Sequence, residues 1–181
     1  MRHSDRRRAL MGRIRLPLFF ANMLASSTAS SIIDPATKIT YPQKRVLVTG
    51  AAGFVGSHVA DYHLSRGDLV TVVDEVNDYY DVKIKESNLR MLQKRYGSNV
   101  TIHRGDICDE DFLDRVFESS QFDAICHMAA RAGVRPSIKD PFLYLHSNIQ
   151  GTVTLLERTR KHKIPNFVFA SSSSVYGGSK S

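Results

Sequence analysis

An α/β fold built on a doubly wound parallel sheet is predicted by three observations. Short apolar, β-branched runs recur along the chain, and helical patterns separate them. The first run opens directly into a glycine-rich turn, Gly50-Ala51-Ala52-Gly53-Phe54-Val55-Gly56. The next closes on an acid, Asp74, which lies 18 residues past Gly56. Alternation of this kind implies right-handed crossovers and a parallel sheet, with ligands gathering at the carboxyl ends of the strands.

Each element has its own signal. The run RVLVTG from Arg45 is a buried strand, and Val55 and Val59 begin a helix that ends at Arg66-Gly67. LVTVVDE is the second strand, and Asn99–His103 the third, followed by Gly105-Asp106-Ile107. Phe112, Leu113 and Val116 mark a short helix over about Asp109–Ser119. Asp123–Met128 is the fourth strand and ends in Ala129-Ala130. A long helix is expected from about Pro141 to Lys163, then a fifth strand, Asn166–Ala170, running into four serines. The reading is thus a Rossmann-like sheet of about five strands.

The glycine turn has a physical rationale. Gly50 permits a tight turn, Gly53 lets the backbone approach a pyrophosphate, and Gly56 lets the helix pack closely on the strand. Phosphates sit at the helix N-terminus, where free N–H groups and the dipole favour anions. Asp74 at the tip of the second strand accepts from an adenosine ribose and repels a 2′-phosphate, so NAD is favoured over NADP. A tight turn without a ligand is the alternative, but strand, helix and acid all fall where the mechanism needs them.

Composition excludes several classes. The formal charge of +7 over 181 residues comes mainly from Arg2, Arg6, Arg7, Arg8, Arg13 and Arg15. Without residues 1–15 the remainder has 19 basic and 17 acidic side chains, so no nucleic-acid partner is expected. Cys108 and Cys126 lie 18 apart with no CxxC or Cys/His cluster around them, which indicates reduced thiols and no metal site. Residues 1–42 form a basic and Ser-rich extension that divides from a dinucleotide-binding domain over 43–181. The apolar stretch LPLFFANMLA in that extension leaves three readings: a transit peptide, a signal peptide or anchor, or a disordered extension. Membrane contact is expected only for an anchor, and a cytoplasmic location otherwise.

VLVTGAAGFVGSHVA, GDI, HMAARAGVRPS, SNIQGT and FASSSSVYGG, in this order and spacing, resemble the extended short-chain dehydrogenases that modify nucleotide sugars. The stretches NDYYD and AGVR look most like UDP-glucuronate 4-epimerases, with dehydratases and decarboxylases of the same family as alternatives. The resemblance implies an NAD cofactor, a UDP-sugar substrate and, for full-length relatives, a homodimer. It implies that Gly50, Gly53, Phe54, Val55 and Gly56 cradle the pyrophosphate and that Asp74 holds the adenosine ribose. Asp106 and Ile107 would flank the adenine, and Met128, Ala129 and Ala130 would line the cleft beside the nicotinamide ribose. Asn148 would brace the architecture, and Ser172 would hydrogen-bond the reacting sugar oxygen. By position, Ser173 and Ser174 would donate to a substrate carboxylate and Arg135 would pair with it.

Of the histidines, His127 is expected to serve packing and a backbone hydrogen bond, and His146 and His162 to face solvent or the core. The family's catalytic Tyr-x-x-x-Lys stands on a helix beyond the serine motif. Tyr176 and Lys180 have that spacing, but they follow the fifth strand directly and carry Gly177 and Gly178 between them. The sixth strand and the substrate domain are likewise not expected within 181 residues. An N-terminal fragment of an active epimerase, a non-catalytic NAD-binding module and an interaction protein pairing through an open sheet edge all remain compatible with the sequence.

Overall fold

Valine and leucine alternate without interruption in the strand Arg45–Thr49, and that alternation organises the fold. The computed structural model describes residues 31–33 and 40–178. Val46 and Val48 point to one face of the sheet, Leu47 to the other, and all three are fully buried. Each such side chain contributes about 1.5–3 kcal/mol relative to exposure.

A short antiparallel pair, β1 (Ser31–Ile33) and β2 (Thr40–Pro42), precedes that strand, β3. The rest of the main sheet is β4 (Leu69–Asp74), β5 (Val100–Arg104), β6 (Ala124–His127) and β7 (Phe167–Phe169). All its strands run parallel, in the order β5-β4-β3-β6-β7. The chain therefore builds outward from β3 in one direction, then crosses back and builds in the other. The reversal leaves the carboxyl ends of β3 and β6 side by side, where such sheets bind ligands.

Helices cover both faces. On the Val46/Val48 face lie α1 (Phe54–Ser65) and α2 (Val82–Tyr96), which bury Ala60, Leu64, Leu89 and Leu92. On the Leu47 face, α3 (Glu110–Ser119) buries Leu113, Val116 and Phe117, and Leu155 from α6 (Gly151–Lys161) joins them. Asp109 caps α3 by accepting from Phe112 N at 2.9 Å, and Glu110 and Asp111 in its first turn complement the helix dipole. Arg158 ties α6 to α3 through Glu110 and Asp114.

Several features depart from the sequence expectation, the β1–β2 pair within the expected 1–42 extension among them. The helix α2 was not anticipated, although Asp81 caps it through Lys83 N and Gly97, at φ +55°, ends it. The long helix expected over 141–163 divides into α5 (Pro141–Tyr144), a π turn (Leu145–Gln150) and α6. A further short helix, α4 (Val134–Lys139), precedes them. Residues 1–30 and 34–39, and with them the targeting and anchor readings, lie outside the described residues, as does Lys180. Among the described residues no helix is long and apolar enough to cross a membrane.

Candidate cofactor-binding cleft

A cleft of about 430 Å³ opens at the carboxyl ends of β3, β4, β5 and β6. That size lies within the range of small-molecule sites. Its floor begins with the glycine turn. Gly50 adopts φ +71°, a conformation open to glycine at little cost, and a Cβ there would stand 2.6 Å from Ala129 N. At Gly56 a Cβ would stand 2.1 Å from Gly50 O, so the first turn of α1 closes against the strand only because no side chain intervenes. Gly53 caps α1 in an extended conformation with no side-chain bond. The first N–H groups of a helix have no intrahelical partner, and Gly53, Phe54, Val55 and Gly56 at the start of α1 line the cleft.

Asp74 is fixed by two backbone donors. Its Oδ2 accepts from Ala52 N at 2.9 Å and its Oδ1 from Val76 N at 2.8 Å. Each oxygen keeps further accepting capacity and Asp74 lines the cleft, so the fixed carboxylate is available to a vicinal diol. The residue thus also couples the tip of β4 to the glycine turn of β3.

At the far end, Asp106 is similarly held. Its Oδ1 accepts from Cys108 N at 2.8 Å and its Oδ2 meets His146 Nε2 at 2.7 Å. Burial opposes its ionisation, but those two hydrogen bonds outweigh it and hold the carboxyl below the usual range. His146 is raised, chiefly by the bond to Asp106. The histidine expected to face solvent or the core instead caps a cleft acid, because the π turn swings it toward the β5–α3 loop. Ile107 lines the same end beneath Asp106.

The side of the cleft along β6 is formed by Met128, Ala129 and Ala130. Met128 N donates to Thr49 O at 3.2 Å and Ala129 N to Thr49 Oγ1 at 3.3 Å, which seats the segment against β3. His127 lies beneath it, 1% exposed, between Thr49 Oγ1 at 2.7 Å and Thr152 Oγ1 at 2.9 Å. Burial pushes it down to about 4, so it is neutral and structural. Its partners are hydroxyls, where a backbone hydrogen bond was expected. Asn148 holds the next turn of chain with two bonds to the Arg131 backbone, Oδ1 from Arg131 N at 2.7 Å and Nδ2 to Arg131 O at 2.9 Å.

The structure also brings residues into the cleft that sequence reasoning did not name. Lys85 on α2 is 5% exposed, donates to Asn77 O at 2.8 Å and Oδ1 at 2.7 Å, and lies 4.6 Å from the Tyr80 ring centroid. Burial lowers it below the usual lysine range, against the pull of Asp74 and Glu75. Arg131, with its side chain 13% exposed, donates to Ser147 Oγ at 3.1 Å and pairs with Glu75 at 3.3 Å. Tyr79 donates to Ala132 O, so the loop after β4 is tied across the cleft to the loop after β6. The periodic Val82, Lys85, Leu89 and Leu92 were the available signal for α2 and its lysine. Nothing local in the sequence signals the Arg131–Glu75 pair, which spans 56 residues.

The expected sugar-side residues lie elsewhere. Ser172, Ser173 and Ser174 are exposed, with Ser173 and Ser174 in a single 3₁₀ turn and Ser172 Oγ accepting from Ser174 N at 3.3 Å. Arg135 is exposed on α4. None of these lines the cleft.

Fold and cleft together define a Rossmann-type dinucleotide-binding domain. Residues 47–181 match the family described as GDP-mannose 4,6 dehydratase, and the chain belongs to that family of nucleotide-sugar epimerases and dehydratases. It is 49% identical over 133 residues to UDP-glucuronate 4-epimerase 2 of Arabidopsis thaliana, a match covering 73% of this chain and 30% of that protein. Protein CapI of Staphylococcus aureus is 42% identical over 137 residues, covering 76% of this chain and 40% of that protein. Among solved structures, UDP-glucose 4-epimerase of Bifidobacterium longum in complex with NAD+ and UDP superposes with a TM-score of 0.67 at 33% identity. That match covers 76% of this chain and 39% of the other. The chain thus spans 30 to 40% of the length of the curated relatives it matches.

Proposed function

We propose that this chain is the NAD-binding part of a UDP-glucuronate 4-epimerase. The observation that carries the reading is the cleft itself: a glycine cradle in which Gly50 and Gly56 leave no room for a Cβ, with a pre-oriented carboxylate at the end of each of two adjacent strands. Similarity to UDP-glucuronate 4-epimerases, and to a UDP-glucose 4-epimerase whose structure contains NAD+, supports it.

In this reading the α1 N-terminus and Gly50, Gly53, Phe54, Val55 and Gly56 hold the pyrophosphate. Asp74 accepts from the adenosine ribose, Asp106 accepts from the adenine amino group beside Ile107, and Met128, Ala129 and Ala130 flank the nicotinamide ribose. When bound, NAD supplies reversible hydride acceptance at the nicotinamide ring. Oxidation at the sugar C4 hydroxyl and re-reduction of the keto sugar from its other face would invert that centre. The acid–base tyrosine and lysine of that step belong to a helix outside this chain's sheet. Ser172 would donate to the reacting sugar oxygen, and the exposed Ser173 and Ser174 after β7, with the exposed Arg135 on α4, would recognise the substrate carboxylate.

The test is an assay of the protein purified from its native source, for interconversion of UDP-glucuronate and its C4 epimer. Conversion that falls selectively for the acidic sugar on Arg135→Leu supports the reading. Equal loss with neutral UDP-sugars removes Arg135 from substrate recognition. NAD binding without any turnover of UDP-glucuronate points instead to a non-catalytic cofactor module.

A further inference from the structure

Asp106, Cys108 and His146 come from two segments about forty residues apart, yet their carboxylate, thiol and imidazole donor atoms all lie within 4.8 Å of one another. The sequence reading expected no metal, because neither cysteine belongs to a CxxC motif or a Cys/His cluster in the chain. The π turn supplies the missing partner. Its wider turn lets three successive residues reach into the fold: His146 to Asp106, Ser147 to Arg131 and Asn148 to the Arg131 backbone. Single π turns concentrate at functional sites.

We propose that these three residues form a site for a divalent ion of the zinc class, overlapping the adenine end of the cleft. The donor set of one sulfur, one nitrogen and one oxygen suits a borderline-soft ion, and hard cations such as magnesium and calcium prefer all-oxygen shells. The surrounding bonds are those expected around such ligands. His146 Nδ1 lies 3.2 Å from Gln150 Oε1, which orients the ring with Nε2 toward Asp106. Asp106 Oδ1 is held by Cys108 N, leaving Oδ2 for the ion. Cys108 is buried, whereas the side chains of Asp106 and His146 are about one-third or more exposed at 36% and 42%, so a fourth position opens to water.

Coordination exchanges bonds in a balanced way. The Cys108 Sγ–H, which now donates to His146 O at 3.1 Å, loses its proton to solvent and the sulfur bonds the ion. His146 bonds the ion as the neutral imidazole through Nε2, its Nδ1–H facing Gln150 Oε1, so coordination releases at least the Cys108 proton. Small rotations of His146 bring the donors to bonding distances of roughly 2.0–2.3 Å. The site itself stands on this geometry alone. Its consequence for the cofactor rests on the reading that Asp106 holds the adenine: a coordinated Asp106 no longer accepts from an adenine amino group.

The experiment uses the 181-residue chain stripped of metal. It is titrated with zinc against a chromophoric chelator and with cobalt by absorbance, and circular dichroism checks the fold of every variant. One equivalent of zinc, release of at least one proton and a thiolate-to-cobalt charge-transfer band are expected. Cys108→Ser removes the band and, like His146→Gln, weakens zinc at least ~10-fold, whereas Cys126→Ser changes neither. Zinc binding unaltered in both Cys108→Ser and His146→Gln, or a band lost in Cys126→Ser instead, overturns the site. Calorimetry with NAD then tests the overlap: zinc-loaded protein is expected to bind NAD at least ~10-fold more weakly than metal-free protein. Equal NAD affinity with zinc bound overturns the overlap. Failure of the metal-free protein to bind NAD refutes the cofactor reading, and the cobalt band still decides the metal site.

Discussion

Replacing Gly56 with alanine isolates the feature on which the cleft depends. The added Cβ would stand 2.1 Å from Gly50 O and 2.6 Å from Gly50 C, both backbone atoms in the turn that opens α1. Neither can rotate away, so the helix start must lift from β3. Overpacking of this kind costs about 1–3 kcal/mol, and alanine in a helix returns about 1 kcal/mol of that relative to glycine. A net loss of up to about 2 kcal/mol is expected as a lower urea midpoint with an unchanged slope. The displaced amides are those proposed to face the pyrophosphate, so NAD affinity should fall by more than ~10-fold, about 1.4 kcal/mol. Gly97→Ala is the control: at φ +55° and ψ −120° with no atom within 4 Å, it should lose about 1–3 kcal/mol of stability and leave NAD binding intact. A Gly56→Ala protein with full stability and unchanged NAD affinity would refute the reasoning.

Other consequences follow from single side chains. Asp74→Ala deprives Ala52 N and Val76 N of their acceptor and the ribose of its partner, so both NAD affinity and the urea midpoint should drop. Asp74→Asn should chiefly narrow the preference for NAD over NADP in parallel titrations. Stability should peak near the ordinary histidine range for two opposing reasons. His127 is held down to about 4, so the unfolded chain binds the extra proton and stability is lost as pH falls from about 6.5 toward 4. His63 is raised to about 9, first by Asp68 at 2.9 Å and then by Cys126, so its contribution is full below about 6.5 and lost as pH rises through 9. Urea midpoints measured from pH 4 to 10 should be bell-shaped, with the alkaline limb flattened in His63→Gln and the acid limb in His127→Gln. A pH-independent midpoint in the native chain would contradict both assignments.

The strands at the centre of the sheet were legible because the two covered faces demand continuous apolar runs, as in Val46–Val48 and Leu69–Val73. The glycine turn was legible for a related reason: Gly50 and Gly56 answer a steric requirement local to a few residues. The helix α2 was harder to see, since only Lys85, Leu89 and Leu92 of its fifteen residues are buried and charges fill the rest. The π turn has no periodic signature, and with it went the contact between His146 and Asp106. The hairpin Ser31–Ile33 with Thr40–Pro42 escaped because pairing between strands depends on partners that a local period does not reveal. Ser172–Ser174 and Arg135 were placed by resemblance, and their exposed positions show that the recognition proposed for them depends on more than the cleft.

The most direct test of the account is a calorimetric titration of the 181-residue chain with NAD, beside an Asp74→Ala variant whose fold is checked by circular dichroism. The account predicts one equivalent bound with micromolar affinity, at least ~10-fold weaker in the variant. A folded chain that takes up no NAD, or binds it equally well without Asp74, would contradict it.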